Sequence, residues 1–152
     1  MKTHWLTLAI GVAALSVAGA SAAHRTPALS GPAIVVYKSP SCGCCTKWVE
    51  YLQARGFQVT AHDVDDVSPT KHRYGVPDAL ASCHTALVGG YVIEGHVPAE
   101  DILRLLREHP SVVGLTVPGM VTGSPGMEGG ARQAYQVLSF NRQGKTAVWA
   151  SH

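Results

Sequence analysis

Apolar residues change their spacing several times along the chain, and each change marks an element. Trp5 to Ala18 is a run broken only by Thr7, Gly11 and Ser16, opened by Lys2 and His4 and followed by Ala20-Ser21-Ala22. The run is too short to cross a bilayer comfortably and ends in small residues of the kind a signal peptidase cuts after. Residues 1–22 therefore read as a signal peptide rather than an anchor. Residues 23–32, with Pro27, Gly31 and Pro32, read as a flexible leader, and 33–152 as the folded domain. Ile34-Val35-Val36-Tyr37 is a β-branched run that predicts a buried first strand, broken by Ser39-Pro40-Ser41. From about Cys44 to Arg55, Cys45, Trp48, Val49 and Leu52 recur at helical spacing, with Gly56 closing the helix. Cys45 then faces inward, and Cys42 lies at or just before the helix N-terminus.

Phe57 to Ala61 alternates, as a second strand does, and runs into the acidic turn His62-Asp63-Val64-Asp65-Asp66. A short helix is predicted from Ser68 to Tyr74, with Ser68 as cap and Pro69 in its first turn, stopped by Gly75-Val76-Pro77. Thr85–Val88 and Tyr91–Ile93 read as strands around the two-residue turn Gly89-Gly90. Ala99 to Glu108 carries the clearest helical pattern, with Ile102, Leu105 and Leu106 as its buried stripe and Pro110 beyond its end. Strand, helix, strand, helix, hairpin, helix resembles the thioredoxin-like order. Residues 118–130 depart from it as an irregular Met/Gly/Pro loop in which Pro-Gly-Met occurs twice. A terminal hairpin follows, from Tyr135 to Phe140 and Thr146 to Trp149. The fold class expected is α/β: a thioredoxin-like sandwich with a mixed central sheet, plus that loop and a C-terminal β-hairpin.

Export changes how the four cysteines are read, because in an oxidising compartment they would ordinarily form two structural disulfides. Three of them, Cys42, Cys44 and Cys45, lie within four consecutive residues, so at most one can reach Cys83. The others could bridge only locally, closing almost no loop and gaining little entropy from the crosslink. The cluster is better explained by chemistry than by stapling. Charge narrows the partners. Without residues 1–22 the chain keeps 11 basic and 10 acidic residues, so nucleic acid is not an expected partner. Nor is membrane insertion expected after cleavage.

Cys42-Gly43-Cys44-Cys45 holds two motifs at once. Cys42 and Cys45 have the C-x-x-C spacing of dithiol oxidoreductases; Cys42 and Cys44 have the C-x-C spacing that brings two thiolates to one soft metal. A helix N-terminus favours thiolate, the form that both a nucleophile and a metal ligand require. A redox pair gains nothing from a third thiol, whereas a soft-metal site does. Cys83-His84, just before the third strand, is placed by the fold opposite the cluster, which makes Cys83 and then His84 candidate ligands. Met120 and Met127 lie in a loop without apolar periodicity, where a thioether can act as a neutral soft ligand rather than a core filler. Zinc would prefer two separated C-x-x-C knuckles, and calcium or magnesium would need more oxygen ligands than Asp63, Asp65 and Asp66 offer. Copper(I) fits best, and bridging thiolates permit a multinuclear cluster. His62, His72, His96 and His109 show no ligand spacing among themselves, although His96, near the hairpin end, could approach the site. His24, second after a cut at Ala22, could join a free amine in binding Cu(II).

Tyr37 to Trp48, Asp63-Val64-Asp65-Asp66, Gly75-Val76-Pro77, Ser82-Cys83-His84-Thr85, Gly89 to Pro98 and Pro118-Gly119-Met120 together resemble the CopG-type copper-resistance proteins. The resemblance spans about Ile34 to Trp149. It implies a thioredoxin-like fold, a periplasmic location, copper bound at the cysteine cluster, and a part in copper or silver resistance that extends to copper redox interconversion. Other periplasmic copper-handling or efflux proteins are the implied partners. One departure from thioredoxins bears on mechanism: Cys83-His84 occupies the place of their substrate-docking cis-proline, and Pro77 lies upstream. That favours metal over a protein disulfide as the species handled. The alternative is a thiol–disulfide oxidoreductase with Cys42 as nucleophile and Cys45 as resolving thiol; whether the protein turns over as an enzyme is left open by the residues.

Overall fold

The computed structural model describes residues 31–152; the segment expected to be a signal peptide and most of the expected leader lie outside the described residues, as does His24. The first four strands are β1 (Ala33–Lys38), β2 (Gln58–Asp63), β3 (His84–Val88) and β4 (Tyr91–Glu94). β5 (Gly114–Thr116), β6 (Gln136–Phe140) and β7 (Thr146–Ser151) complete one mixed sheet in the order β2-β1-β3-β4-β5-β6-β7. Helices α1 (Gly43–Gln53), α2 (Ser68–Arg73) and α3 (Ala99–Glu108) connect them, with a single 3₁₀ turn at Asp78–Leu80. The expected α/β fold with a mixed central sheet is borne out. No helix among the described residues is long and apolar enough to cross a membrane.

Strand polarity decides where the site forms. β1 pairs parallel with β2 and antiparallel with β3, with Lys38 opposite His84. The C-terminal end of β1, which feeds α1, therefore meets the N-terminal end of β3. Gly89 and Gly90 both take positive φ, 55° and 87°, as the tight turn between β3 and β4 requires.

One face of the sheet carries the main core. Ile34 and Val36 of β1 and Ala86 and Val88 of β3 pack with Trp48, Val49 and Leu52 of α1 and Ile102 and Leu105 of α3. The alternate residues Leu87 and Val92 face a smaller cluster with Val76, Leu80 and Phe140. The inward stripe expected of α1 is observed, and α1 ends as predicted: Phe57 N–H donates to Leu52 O and Gly56 N–H to Gln53 O, the paired bonds of a Schellman motif.

Three local expectations need correction. Ser68 is the first residue of α2 rather than its cap; Val67 holds the cap position, and the Asp66 carboxylate accepts the Ser68 N–H at 2.8 Å. His62 and Asp63 belong to β2 rather than to a solvated turn, and Asp63 pairs with the buried Lys38 at 2.7 Å. β5 was not anticipated, because it is three residues long and begins with glycine. A side chain at Gly114 would put its Cβ 1.8 Å from Val92 O, so close strand approach requires glycine there. Through β5 the C-terminal hairpin joins the central sheet instead of standing apart.

Leu52 is fully buried in the main core. Leu52→Ala is expected to cost about 2–5 kcal/mol. Chemical denaturation checks this; an unchanged midpoint would place Leu52 outside the cooperative core.

Candidate metal centre

The site gathers where three chain segments end at one edge of the core. Cys42 is the N-cap of α1, its N–H donating to Ser39 O at 3.1 Å. Cys45 lies one turn on and is buried among Trp48 and the core. A disulfide joins Cys42 to Cys45, while Cys44 and Cys83 are free and partly buried. All four sulfurs lie within 4.8 Å of one another, and Cys42 Sγ is 3.4 Å from Cys44 Sγ.

A second group shares Cys83. Its sulfur is 3.4 Å from His84 Nδ1 and 3.0 Å from His96 Nε2, and the three donors fall within 4.8 Å of one another. His96 Nδ1 lies 2.8 Å from Pro125 O, a carbonyl that can only accept. Nδ1 is therefore the protonated nitrogen, and the Nε2 lone pair points at Cys83, the arrangement by which ligating histidines are commonly oriented. His84 is fully buried between Trp48 (ring centroids 4.3 Å apart) and His96 (5.0 Å), and its Nε2 has no hydrogen-bond partner among the described residues.

Burial sets the protonation states. It pushes the Cys83 thiol up to about 11, with nearby Cys44 adding to the effect. Burial holds His84 well below the ordinary imidazole range, and His96, Lys71 and Lys38 reinforce this. His96 is lowered by burial too, against the opposing pull of its Pro125 hydrogen bond and of Glu128. The pocket thus holds neutral imidazoles and a protonated thiol, and a cation taken up at Cys83 displaces a proton.

The predicted residues are not all gathered equally. Cys42, Cys44, Cys45, Cys83 and His84 converge. Met127 lines a surface cleft of about 430 Å³ together with Cys44, Lys47, Gly126 and Glu128. Met120 is 57% exposed and does not line that cleft. His96 stood outside the ligand set read from sequence, yet the hairpin register pointed to it. With Val88 opposite Tyr91 and Thr85 opposite Glu94, continuing the ladder sets Cys83 opposite His96.

A family profile described as "Protein of unknown function, DUF411" matches residues 80–127, a stretch that holds Cys83, His84, His96, Met120 and Met127. A search of curated proteins returns no match. Among solved structures, one titled copper resistance protein copG, form 2, is 49% identical, covering 80% of this chain and 98% of its own, with a TM-score of 0.76. Form 1 of the same protein is 50% identical over the same shares, with a TM-score of 0.75. At this identity and coverage the chain belongs to the CopG-type copper-resistance family.

The 118–130 loop seats Gly126 against α1. At φ +83°, a side chain there would put its Cβ 2.8 Å from both Cys44 O and Trp48 N. Gly126→Ala is expected to destabilise by at least about 1–2 kcal/mol, the cost of left-handed backbone for a residue with a Cβ. It is also expected to speed alkylation of Cys44 as the loop lifts. Native stability together with native thiol reactivity would refute the close packing.

Proposed function

We propose that the protein is a periplasmic copper(I)-binding protein of copper homeostasis and resistance. Its first 22 residues serve as a signal peptide, and residues 33–152 form a thioredoxin-like copper-binding domain. The observation that carries this reading is the convergence of four cysteine sulfurs within 4.8 Å, with two neutral imidazoles on Cys83. Thiolate and imidazole donors suit Cu(I), and hard cations find no oxygen cage there. Cys42, Cys44, Cys45 and Cys83 are the proposed ligands, with His84 and His96 beside Cys83. Met127, which lines the cleft beside Cys44, and the exposed Met120 are the proposed thioether ligands. Sulfurs this close can bridge more than one ion, so the reading includes a multinuclear Cu(I) centre. The β2-β1-β3-β4 order, with α1 leaving β1 at the cysteines, supports the thioredoxin-like reading.

The Cys42–Cys45 disulfide supports a redox side to the function. In that state only Cys44 and Cys83 can bind as thiolates, and two electrons with two protons open the pair into two more thiols. Copper capacity is thus tied to thiol oxidation state, which is how interconversion or transfer of copper to other periplasmic copper-handling or efflux proteins would be geared. The same disulfide is the observation favouring the second reading, a thiol–disulfide oxidoreductase acting through Cys42 and Cys45.

Anaerobic Cu(I) titration of the reduced protein separates the two, with bound metal counted beside Cys44→Ser and Cys83→Ser variants. The copper reading expects tight binding whose stoichiometry falls in both variants. Absence of tight binding, with disulfide reductase activity retained in both, would leave the oxidoreductase.

A further inference from the structure

We propose that Glu94 is the positioning residue of the copper centre: from the far side of the sheet, its buried carboxylate fixes the backbone that delivers Cys83. The proposal rests on the copper reading above for what is positioned, and on geometry alone for how. Along β4, Val92 faces the smaller cluster and Ile93 the main core, so alternation turns Glu94 to the α2 side, away from Trp48 and α1. The Glu94 side chain is fully buried. One oxygen accepts from Lys71 Nζ at 2.5 Å and from the Ser82 N–H at 2.6 Å; the other accepts from Thr85 Oγ1 at 2.7 Å. Lys71 also donates to Thr85 Oγ1 at 3.1 Å, which closes the network onto α2.

Stability alone does not account for this arrangement. A buried ion pair is often no better for stability than apolar residues filling the same volume. What the carboxylate supplies and an apolar residue cannot is an acceptor for the N–H of Ser82, the residue before Cys83. The neighbouring bonds hold the other groups of this segment and leave the Ser82 N–H to Glu94. Gly119 N–H holds Ala81 O at 3.1 Å, and Gly95 N–H holds His84 O at 3.1 Å. The Ser82 hydroxyl bonds Gly119 O. Glu94 supplies the acceptor for the N–H end of the Ala81–Ser82 peptide, whose carbonyl end Gly119 holds, so the unit leading into Cys83 is fixed at both ends. Groups that orient metal ligands from outside the coordination sphere typically matter by about 10- to 100-fold in metal affinity.

Paired substitutions separate positioning from stability. Glu94→Gln with Lys71→Met removes both charges and keeps an amide oxygen for Ser82 N–H; Glu94→Leu with Lys71→Met removes both charges and the acceptor. Cu(I) affinity of the reduced proteins is read by competition with a chromogenic Cu(I) chelator. The alkylation rate of Cys83 relative to Cys44, in protein with the Cys42–Cys45 disulfide intact, gives a readout that needs no copper. The Gln/Met pair is expected to keep near-native affinity and Cys83 reactivity. The Leu/Met pair is expected to lose about 10- to 100-fold in affinity and to expose Cys83 to faster alkylation. A folded Leu/Met variant that is native on both measures overturns the proposal. Should that variant not fold, Glu94→Asp serves: it keeps the ion pair but withdraws the carboxylate from Ser82, and native behaviour on both measures overturns the proposal equally. If the unsubstituted protein binds no Cu(I), the copper reading fails on its own, and the alkylation rates still decide whether Glu94 holds Cys83.

Discussion

Antiparallel pairing of β1 with β3 is the constraint on which the rest of the molecule depends. Lys38 opposite His84 brings the end of β1 to the beginning of β3. The chain leaving β1 turns at once into α1, so Cys42, Cys44 and Cys45 emerge at the point where Cys83 enters the sheet. The two-residue turn after β3 then fixes the register of β4 and returns His96 to the same edge. Six converging side chains come from these three segments, and sliding β3 by one residue would turn Cys83 and His84 to the opposite faces. Site geometry here is a consequence of strand register rather than of local loop conformation.

Burial then determines what such a cluster can do. His84 lies under α1 against Trp48, with the ammonium groups of Lys38 and Lys71 both acting to keep it neutral. Each lysine is itself neutralised, Lys38 by Asp63 and Lys71 by Glu94. This end of the sheet therefore carries two ion pairs, one between β1 and β2 and one between α2 and β4, and His84, His96 and the Cys83 thiol near them are neutral. A cation entering the site finds soft donors, with the His84 and Cys83 side the more deeply buried.

Much of this was legible in the sequence, and the limits have identifiable physical causes. Period and punctuation mark α1, α3 and the β3–β4 hairpin closely, because amphipathic helices and Gly-Gly turns are local properties. β5 escapes because three residues set no period, and Gly114 reports a tertiary contact with Val92 that local pattern does not contain. Ser68 falls inside α2 because the helix starts one residue earlier than expected, with Val67 at the cap position and the Asp66 carboxylate taking the Ser68 N–H. Cys83 was placed by fold order and His84 by adjacency. His96 required one step more, the continuation of the hairpin ladder past Glu94. Met120 and Met127 look equivalent in their repeated Pro-Gly-Met setting, and the loop separates them.

That separation follows from how the loop is held. Gly123 N–H donates to Met127 O at 3.0 Å, Met127 N–H to Ser124 O at 2.9 Å, and the Ser124 hydroxyl to Val121 O at 2.7 Å. The segment thus closes on itself around Ser124, Pro125 and Gly126, all three buried. Pro125 O orients His96, and Gly126 packs on the backbone of α1. Met127 follows immediately and is carried to the Cys44 cleft, whereas Met120 precedes the closure and stays at the surface. A loop without helix or strand is here as constrained as the sheet it covers, because its buried polar groups are satisfied within it or by the site. Its removal would leave His96 without the partner that fixes its tautomer, so the loop belongs to the centre it covers and is not a detachable lid.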